Sequence, residues 1–239
     1  MNNYEKLEGM VAATFTPLDE NGDVNLSVID KYADWIASTP IKGIFVCGTT
    51  GEFSSLTIDE RKLILEKWLV SARKRFKVIA HVGSNCQRSA MELARHAAQV
   101  GADAIASIAP SFFKPGTVDE LVDFFAPICH SAAGLPFYYY NMPSITGVNL
   151  PVDKFLVEGK KKIPNLVGTK FTHNNLMEMG VCIELEQHRF EVLHGYDEIL
   201  ISGLAMGAVA GVGSTYNYIP NVYQAIFDSM KMNDLETAR

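Results

Sequence analysis

Of the 14 lysines, Lys170 alone lies within a short run of otherwise uncharged residues, Leu166-Val-Gly-Thr-Lys-Phe-Thr172. Read as a strand, the run alternates, with Gly168, Lys170 and Thr172 on one face and Val167, Thr169 and Phe171 on the other. If the bulky face meets surrounding helices, the amine points into the middle of the fold. There it loses solvation, and its pKa falls from ~10.4 toward the range of a useful nucleophile. Amines of that kind form Schiff bases with carbonyl compounds. The plainer alternative is a lysine at a strand end paired with an acid.

Other residues at the ends of apolar runs invite the same question. Gly48-Thr49-Thr50-Gly51-Glu52 sets two hydroxyls and several backbone N–H groups between glycines. That suits either a small anion such as a carboxylate or a tight turn with a threonine cap. Tyr140 ends Phe137-Tyr-Tyr-Tyr140 just before Asn141-Met-Pro143, where a phenol can shuttle a proton or simply pack. Tyr138 and Tyr139 read as packing. Asp197 and Glu198 follow His194-Gly195-Tyr196 and can accept from hydroxyls, ligate metal or begin a helix. Gly211-Val-Gly213-Ser214-Thr215-Tyr216-Asn217 is a glycine turn with a hydroxyl at Ser214. His81, His173 and His194 lie near strands, but no H-x-H marks the first strand, where Thr14-Phe15-Thr16 stands. A metal centre is therefore not expected.

These residues need elements to hold them. Apolar runs predict strands near 11–17, 43–48, 77–83, 104–110, 136–141, 166–171, 191–196 and 208–214. Amphipathic segments between them predict helices over 27–38, 58–75, 88–100, 118–133, 176–188, 198–206 and 221–230. Asn25 or Ser27 suits the first cap, and Thr57-Ile-Asp-Glu60 is a capping-box pattern. Strand starts recur every roughly 17 to 35 residues, the size of a βα module, and eight modules make a (β/α)8 barrel. A doubly wound nucleotide fold is disfavoured because the first strand leads into Thr16-Pro-Leu-Asp19 without a G-x-G-x-x-G turn. With no linker or low-complexity segment, residues 1–239 are expected to form a single domain.

Composition narrows the function. The chain has 239 residues, 48% of them hydrophobic, and a net charge of −6, so it offers no basic footprint for nucleic acid or an anionic membrane. Lys160-Lys161-Lys162 reads as a solvated helix end. The four cysteines, Cys47, Cys86, Cys129 and Cys182, are widely spaced and read as free buried thiols of a reducing compartment. Residues 1–6 show no signal-peptide pattern, so a cytoplasmic location is expected. The uncharged stretch 199–227 is broken by glycines, asparagines and Pro220, which suits a buried strand between two helices rather than a membrane span.

Taken in order, Gly48-Thr-Thr-Gly-Glu52, Tyr140-Asn-Met-Pro143, Lys170 in Gly-Thr-Lys-Phe-Thr, Gly195-Tyr-Asp-Glu198 and Gly213-Ser-Thr-Tyr-Asn217 resemble the N-acetylneuraminate lyase (sialic acid aldolase) subgroup of the dihydrodipicolinate synthase family. The likeness spans essentially the whole chain. It implies a cofactor-free class I aldolase that reversibly splits N-acetylneuraminate into N-acetylmannosamine and pyruvate. By resemblance, Lys170 forms the Schiff base, Thr49 and Thr50 bind the pyruvate carboxylate, and Tyr140 moves the proton of the substrate hydroxyl. Thr172, Gly195, Asp197, Glu198 and Ser214 line the channel for the polyhydroxy tail. Neither cofactor nor metal is implied, and the expected assembly is a homotetramer.

Related synthases carry an arginine two residues after the proline of the Tyr-Asn-x-Pro motif, where this chain has Ile145. That substitution favours the sugar acid over a second carboxylate. The alternatives are a related Schiff-base lyase or synthase on another 2-keto acid, or a non-catalytic barrel. Many relatives insert a tyrosine from a neighbouring subunit after the fourth strand; here the run is Pro110-Ser-Phe112-Phe113-Lys114, so that position supplies no hydroxyl. Relatives also continue past the eighth strand into further C-terminal helices, which a chain of this length is expected to lack.

Overall fold

Eight parallel strands run through the computed structural model, which describes residues 4–239. The first three residues, part of the segment read for a signal sequence, lie outside the described residues. The strands are β1 (Gly9–Ala13), β2 (Gly43–Val46), β3 (Lys77–His81), β4 (Ala104–Ile108), β5 (Phe137–Asn141), β6 (Leu166–Phe171), β7 (Glu191–His194) and β8 (Ala210–Gly213). Each pairs with the next, and β8 returns to β1 with Gly9 opposite Ala210, closing a (β/α)8 barrel.

The outer layer is helical: α1 (Ile29–Ala37), α2 (Ile58–Ala72), α3 (Gln87–Val100), α4 (Val118–His130), α5 (Pro143–Thr146), α6 (Val152–Lys162), α7 (Leu176–Glu184), α8 (Leu200–Ala205), α9 (Pro220–Lys231) and α10 (Leu235–Ala238). α3 shows why the helices dock as they do: Ala90, Leu93, Ala94 and Ala97 recur at helical spacing and are buried. Capping boxes start α2 (Thr57 with Glu60) and α4 (Thr117 with Glu120), each tying two orphan N–H groups. Asn25 accepts from the Ser27 amide and caps a short 3-10 turn ahead of α1.

Two apolar layers result. An outer one joins strand residues such as Ile44, Tyr139 and Phe171 to the helices. An inner one fills the barrel, where alanines at 13, 104, 106 and 210 make room for Phe45, Tyr138 and Tyr140. The lower interior is polar: the Tyr138 hydroxyl donates to Glu191 at 3.0 Å and meets the Tyr4 hydroxyl, while the Leu7 amide donates to the same carboxylate at 2.7 Å. Tyr138, expected to pack only, therefore also satisfies a buried acid, whereas Tyr139 packs among Phe125 and Phe155 as expected.

Several boundaries differ from expectation. β1 begins at Gly9, where its ladder to β8 starts, and stops at Ala13, where its ladder to β2 ends; Thr14 and Thr16 remain buried beyond it and mimic a continuing strand. α5 was not expected, and of α6 only the lysine end at 160–162 was, although Val152, Phe155, Leu156 and Gly159 form its buried face. α9 lies where a last helix was expected, with α10 after it. Cys86 is exposed, unlike the three other free thiols. Among the described residues no helix is long and apolar enough to cross a membrane.

Candidate active site

β6 delivers Lys170 to the interior because its register against β5 slips by one residue: Phe137 faces Leu166, yet Tyr138 already faces Gly168 and Tyr140 faces Lys170. Gly168 makes the neighbouring approach possible, since a Cβ there would fall 1.9 Å from the Glu191 carbonyl oxygen of β7. Lys170 is 4% exposed. Its Nζ lies 4.2 Å from the Phe45 ring centroid and 4.1 Å from that of Tyr140. Burial pushes the amine down to about 7, and the Asp197 carboxylate pulls back only part of that shift. The alternative of a lysine paired directly with an acid is thereby set aside: its nearest neighbours are two aromatic faces.

Tyr140 ends its strand at the mouth. Its hydroxyl stands 3.1 Å from Thr49 Oγ1 and donates to the Met142 sulfur at 3.1 Å. Burial raises the phenol pKa, and the hydroxyls of Thr49 and Thr172 draw it partly back. The phenol stays protonated at neutral pH but sits among groups able to exchange its proton.

Thr49 and Thr50 ride the turn after β2, Thr49 exposed and Thr50 half-buried. The backbone there is unusual. Cys47 and Glu52 both have left-handed φ, +54° and +56°. At Gly48 a Cβ would come within 2.7 Å of the Phe45 ring, the same ring that underlies Lys170. Glycine therefore lets the turn close on Phe45, with Thr49 reaching the Tyr140 hydroxyl.

On the opposite wall, Thr172 is buried and a Cβ at Gly195 would fall 2.0 Å from its Oγ1, so only glycine lets the β7 loop close on it. Asp197 is buried too; its Oδ2 accepts from the Thr215 amide at 2.8 Å and from the Thr215 hydroxyl at 2.5 Å. Gly213 leaves room for that carboxylate, since a Cβ would meet Asp197 Cβ at 2.6 Å. Lys170, Tyr140, Thr49, Thr172, Gly195 and Asp197 thus form one connected group. Glu198 is exposed beside Asp197, and Ser214 is half-buried on the β8 turn, where its carbonyl accepts from Asn217 at 2.7 Å; neither side chain joins the group.

Three contributors were not expected from the sequence: Phe45 beneath the amine, Met142 against the phenol and Thr215 on the carboxylate. Only Thr215 carried a signal, as a hydroxyl within the Gly213-Ser-Thr turn. The three histidines stand in separate places: His81 bonds the Cys47 carbonyl, His173 stacks on Phe171, and His194 is wholly buried against Gly203. Phe112 and Phe113 are 77% and 85% exposed, edge to face at 5.0 Å on the loop after β4.

Residues 6–239 match the model of the dihydrodipicolinate synthetase family. The mouse N-acetylneuraminate lyase is 44% identical over 237 residues, which are 98% of this chain and 74% of that protein. The solved N-acetylneuraminate lyase (sialic acid aldolase) of Aliivibrio salmonicida superposes with a TM-score of 0.96 at 39% identity, covering 98% of this chain and 78% of that one. A catalytic lysine mutant of the Ruminococcus gnavus sialic acid aldolase superposes with a TM-score of 0.94 at 28% identity, covering all of this chain and 77% of that one.

Proposed function

The chain belongs to the dihydrodipicolinate synthetase family, and from that membership we propose that it is an N-acetylneuraminate lyase, a class I aldolase reversibly splitting N-acetylneuraminate into N-acetylmannosamine and pyruvate. The relatives and solved structures bearing that name support the substrate. The observation that carries the chemistry is the buried Lys170 amine, pushed down to about 7 between two aromatic rings at the barrel mouth.

A neutral Lys170 amine attacks the C2 carbonyl of the open-chain keto acid, and loss of water leaves an iminium. The iminium is an electron sink, so the C3–C4 electron pair moves into it while the C4 hydroxyl gives up its proton. N-acetylmannosamine departs as the aldehyde. The remaining enamine takes a proton at C3, and water then releases pyruvate and restores the amine. No cofactor or metal is required for this sequence.

Tyr140 serves as the proton carrier: a protonated phenol takes the hydroxyl proton as it passes its own to a neighbouring oxygen, with Thr49 3.1 Å away. Thr49, Thr50 and the N–H groups of their turn cradle the substrate carboxylate. Thr172, Gly195 and Asp197 face the hydroxylated tail, and Glu198 and Ser214, outside the connected group, meet its far end from their loops. Asp197 keeps Oδ1 for a sugar hydroxyl, because Thr215 engages Oδ2. Ile145, 61% exposed, offers no charge to a second carboxylate.

Borohydride reduction in the presence of pyruvate, followed by intact mass and peptide mapping, tests this reading. A reduced adduct is expected on Lys170, and Lys170→Ala should lose both adduct and turnover. An adduct elsewhere, or full activity in Lys170→Ala, sinks it.

The working form we propose is a cytoplasmic homotetramer. Four free thiols suit a reducing compartment, and the exposed Phe112–Phe113 pair is apolar surface of the kind that subunit contacts cover. Light scattering should return about four chain masses; a monomer at micromolar concentration contradicts the assembly.

A further inference from the structure

Behind the Gly48-Thr-Thr-Gly51 turn lie two buried basic side chains to which the reaction scheme gives no role. His81, at the end of β3, is 3% exposed, and Arg61, on α2, is 4% exposed. The His81 ring reaches across to the turn: Nδ1 is 2.7 Å from the Cys47 carbonyl oxygen, and Nε2 accepts from the Ile108 amide at 3.3 Å. A carbonyl only accepts and an amide N–H only donates, so these partners set the tautomer, with the proton on Nδ1. Burial, with the positive charges of Arg61 and Lys170, keeps the ring neutral, as the bond accepted by Nε2 demands.

Arg61 fixes the ring from behind. Nη2 donates to the His81 carbonyl at 2.7 Å and Nη1 to the Gly83 carbonyl at 2.9 Å, so one planar fork grips the backbone of His81 and of the turn that follows it. The guanidinium lies 5.4 Å from the Phe53 ring centroid, and that ring stands edge-on to His81 at 4.6 Å. Phe45 and Tyr140 also pack against the imidazole, each at 5.8 Å between ring centroids.

What this fixture holds is strained. Cys47 sits at φ +54°, a region that non-glycine residues occupy only when their surroundings impose it. Its carbonyl is the first polar group of the turn, and the direction of that carbonyl sets the path of the next two residues, Thr49 following directly on Gly48. At the far end Thr16 Oγ1 donates to the Gly51 carbonyl at 2.7 Å. The turn is thus pinned at both ends, by Thr16 from the loop after β1 and by His81 from β3.

We propose that His81, held by Arg61, is a positioning residue for the substrate carboxylate: its Nδ1–H fixes the Cys47 carbonyl and so orients Thr49 and Thr50 toward the anion. The inference rests on the reading of that turn as the carboxylate cradle. It places His81 outside the chemical step, since neither ring nitrogen is free to meet substrate.

Two substitutions separate positioning from bulk. An asparagine amide nitrogen falls where Nδ1 is, whereas a glutamine amide reaches the place of Nε2. In pyruvate-dependent trapping, His81→Asn should keep the half-saturating pyruvate concentration within about twofold. His81→Gln should raise it about five- to tenfold, the factor expected for one lost buried hydrogen bond, while the trapping rate at saturating pyruvate stays near wild type. A Gln variant that saturates at wild-type pyruvate, or an Asn variant as impaired as Gln, overturns the proposal. Should the Gln variant fail to fold by circular dichroism, Arg61→Lys retains the charge but spans one carbonyl rather than two. Raised half-saturation in that variant supports the proposal, and unchanged half-saturation overturns it. Wild-type protein that traps no pyruvate would bring down the aldolase reading itself, and this inference with it; a defect confined to the variants speaks to His81 alone.

Discussion

A buried amine is useful to catalysis and harmful to the fold, and Lys170 sets the size of that conflict. With the amine at about 7 when folded and near 10.4 when unfolded, each unit of difference costs about 1.4 kcal/mol wherever the folded chain must carry the charged form. The folded pKa is the lower one, so the full penalty, about 3–5 kcal/mol, applies below pH 7 and fades as pH rises toward 10. Lys170→Met should therefore melt higher than wild type at pH 6–7 by calorimetry, with the gap closing by pH 10. A constant gap would mean that packing, not charge, is responsible. The same pKa makes wild-type trapping accelerate from pH 6 to pH 8 and then level off. Lys170 was legible in the sequence because a charge inside an uncharged strand has few explanations. His81 was not, because its partners are a carbonyl 34 residues away and an amide 27 residues away. Nothing in a one-dimensional pattern marks a side chain whose role is toward another strand's backbone.

At the scale of elements, the glycines of β6 and β7 decide whether two strands can share the site. Gly168 stands two residues before Lys170, and a Cβ there would overlap the Glu191 carbonyl oxygen at 1.9 Å. Backbone cannot yield as a side chain would, so Gly168→Ala must part β6 from β7. A loss of more than about 3 kcal/mol is expected, since ordinary overpacking already costs 1–3, together with a melting drop of about 10 °C for a domain of this size and a matching loss of pyruvate trapping. Gly134, around which nothing lies within 4 Å, is the control: its alanine variant should melt within about 2 °C of wild type, as surface changes generally do. Equal effects of the two would contradict the packing described. All eight strands were legible as apolar runs, but their ends were not, because residues beyond the ladder, such as Thr14 and Val82, stay buried. α6 was legible only at its lysine end, because its apolar stripe comprises just four buried residues, one of them Gly159.

Over the whole molecule, module spacing implied a ring, but spacing is silent on where a ring is sealed. The seal lies between β1 and β8, the first strand and the last. Within the barrel, the Leu7 amide adds a bond to Glu191 across 184 residues, and Tyr4 adds one to Tyr138 across 134. These contacts have a kinetic meaning. Bringing such distant segments together costs loop entropy before any contact rewards it. A chain emerging from synthesis has translated Lys170, Tyr140 and the threonine turn before β8 exists to complete the wall around them. The wall around the amine is complete only once the seam shuts, so a chain lacking β8 is expected to hold a better solvated, more often protonated and less reactive lysine.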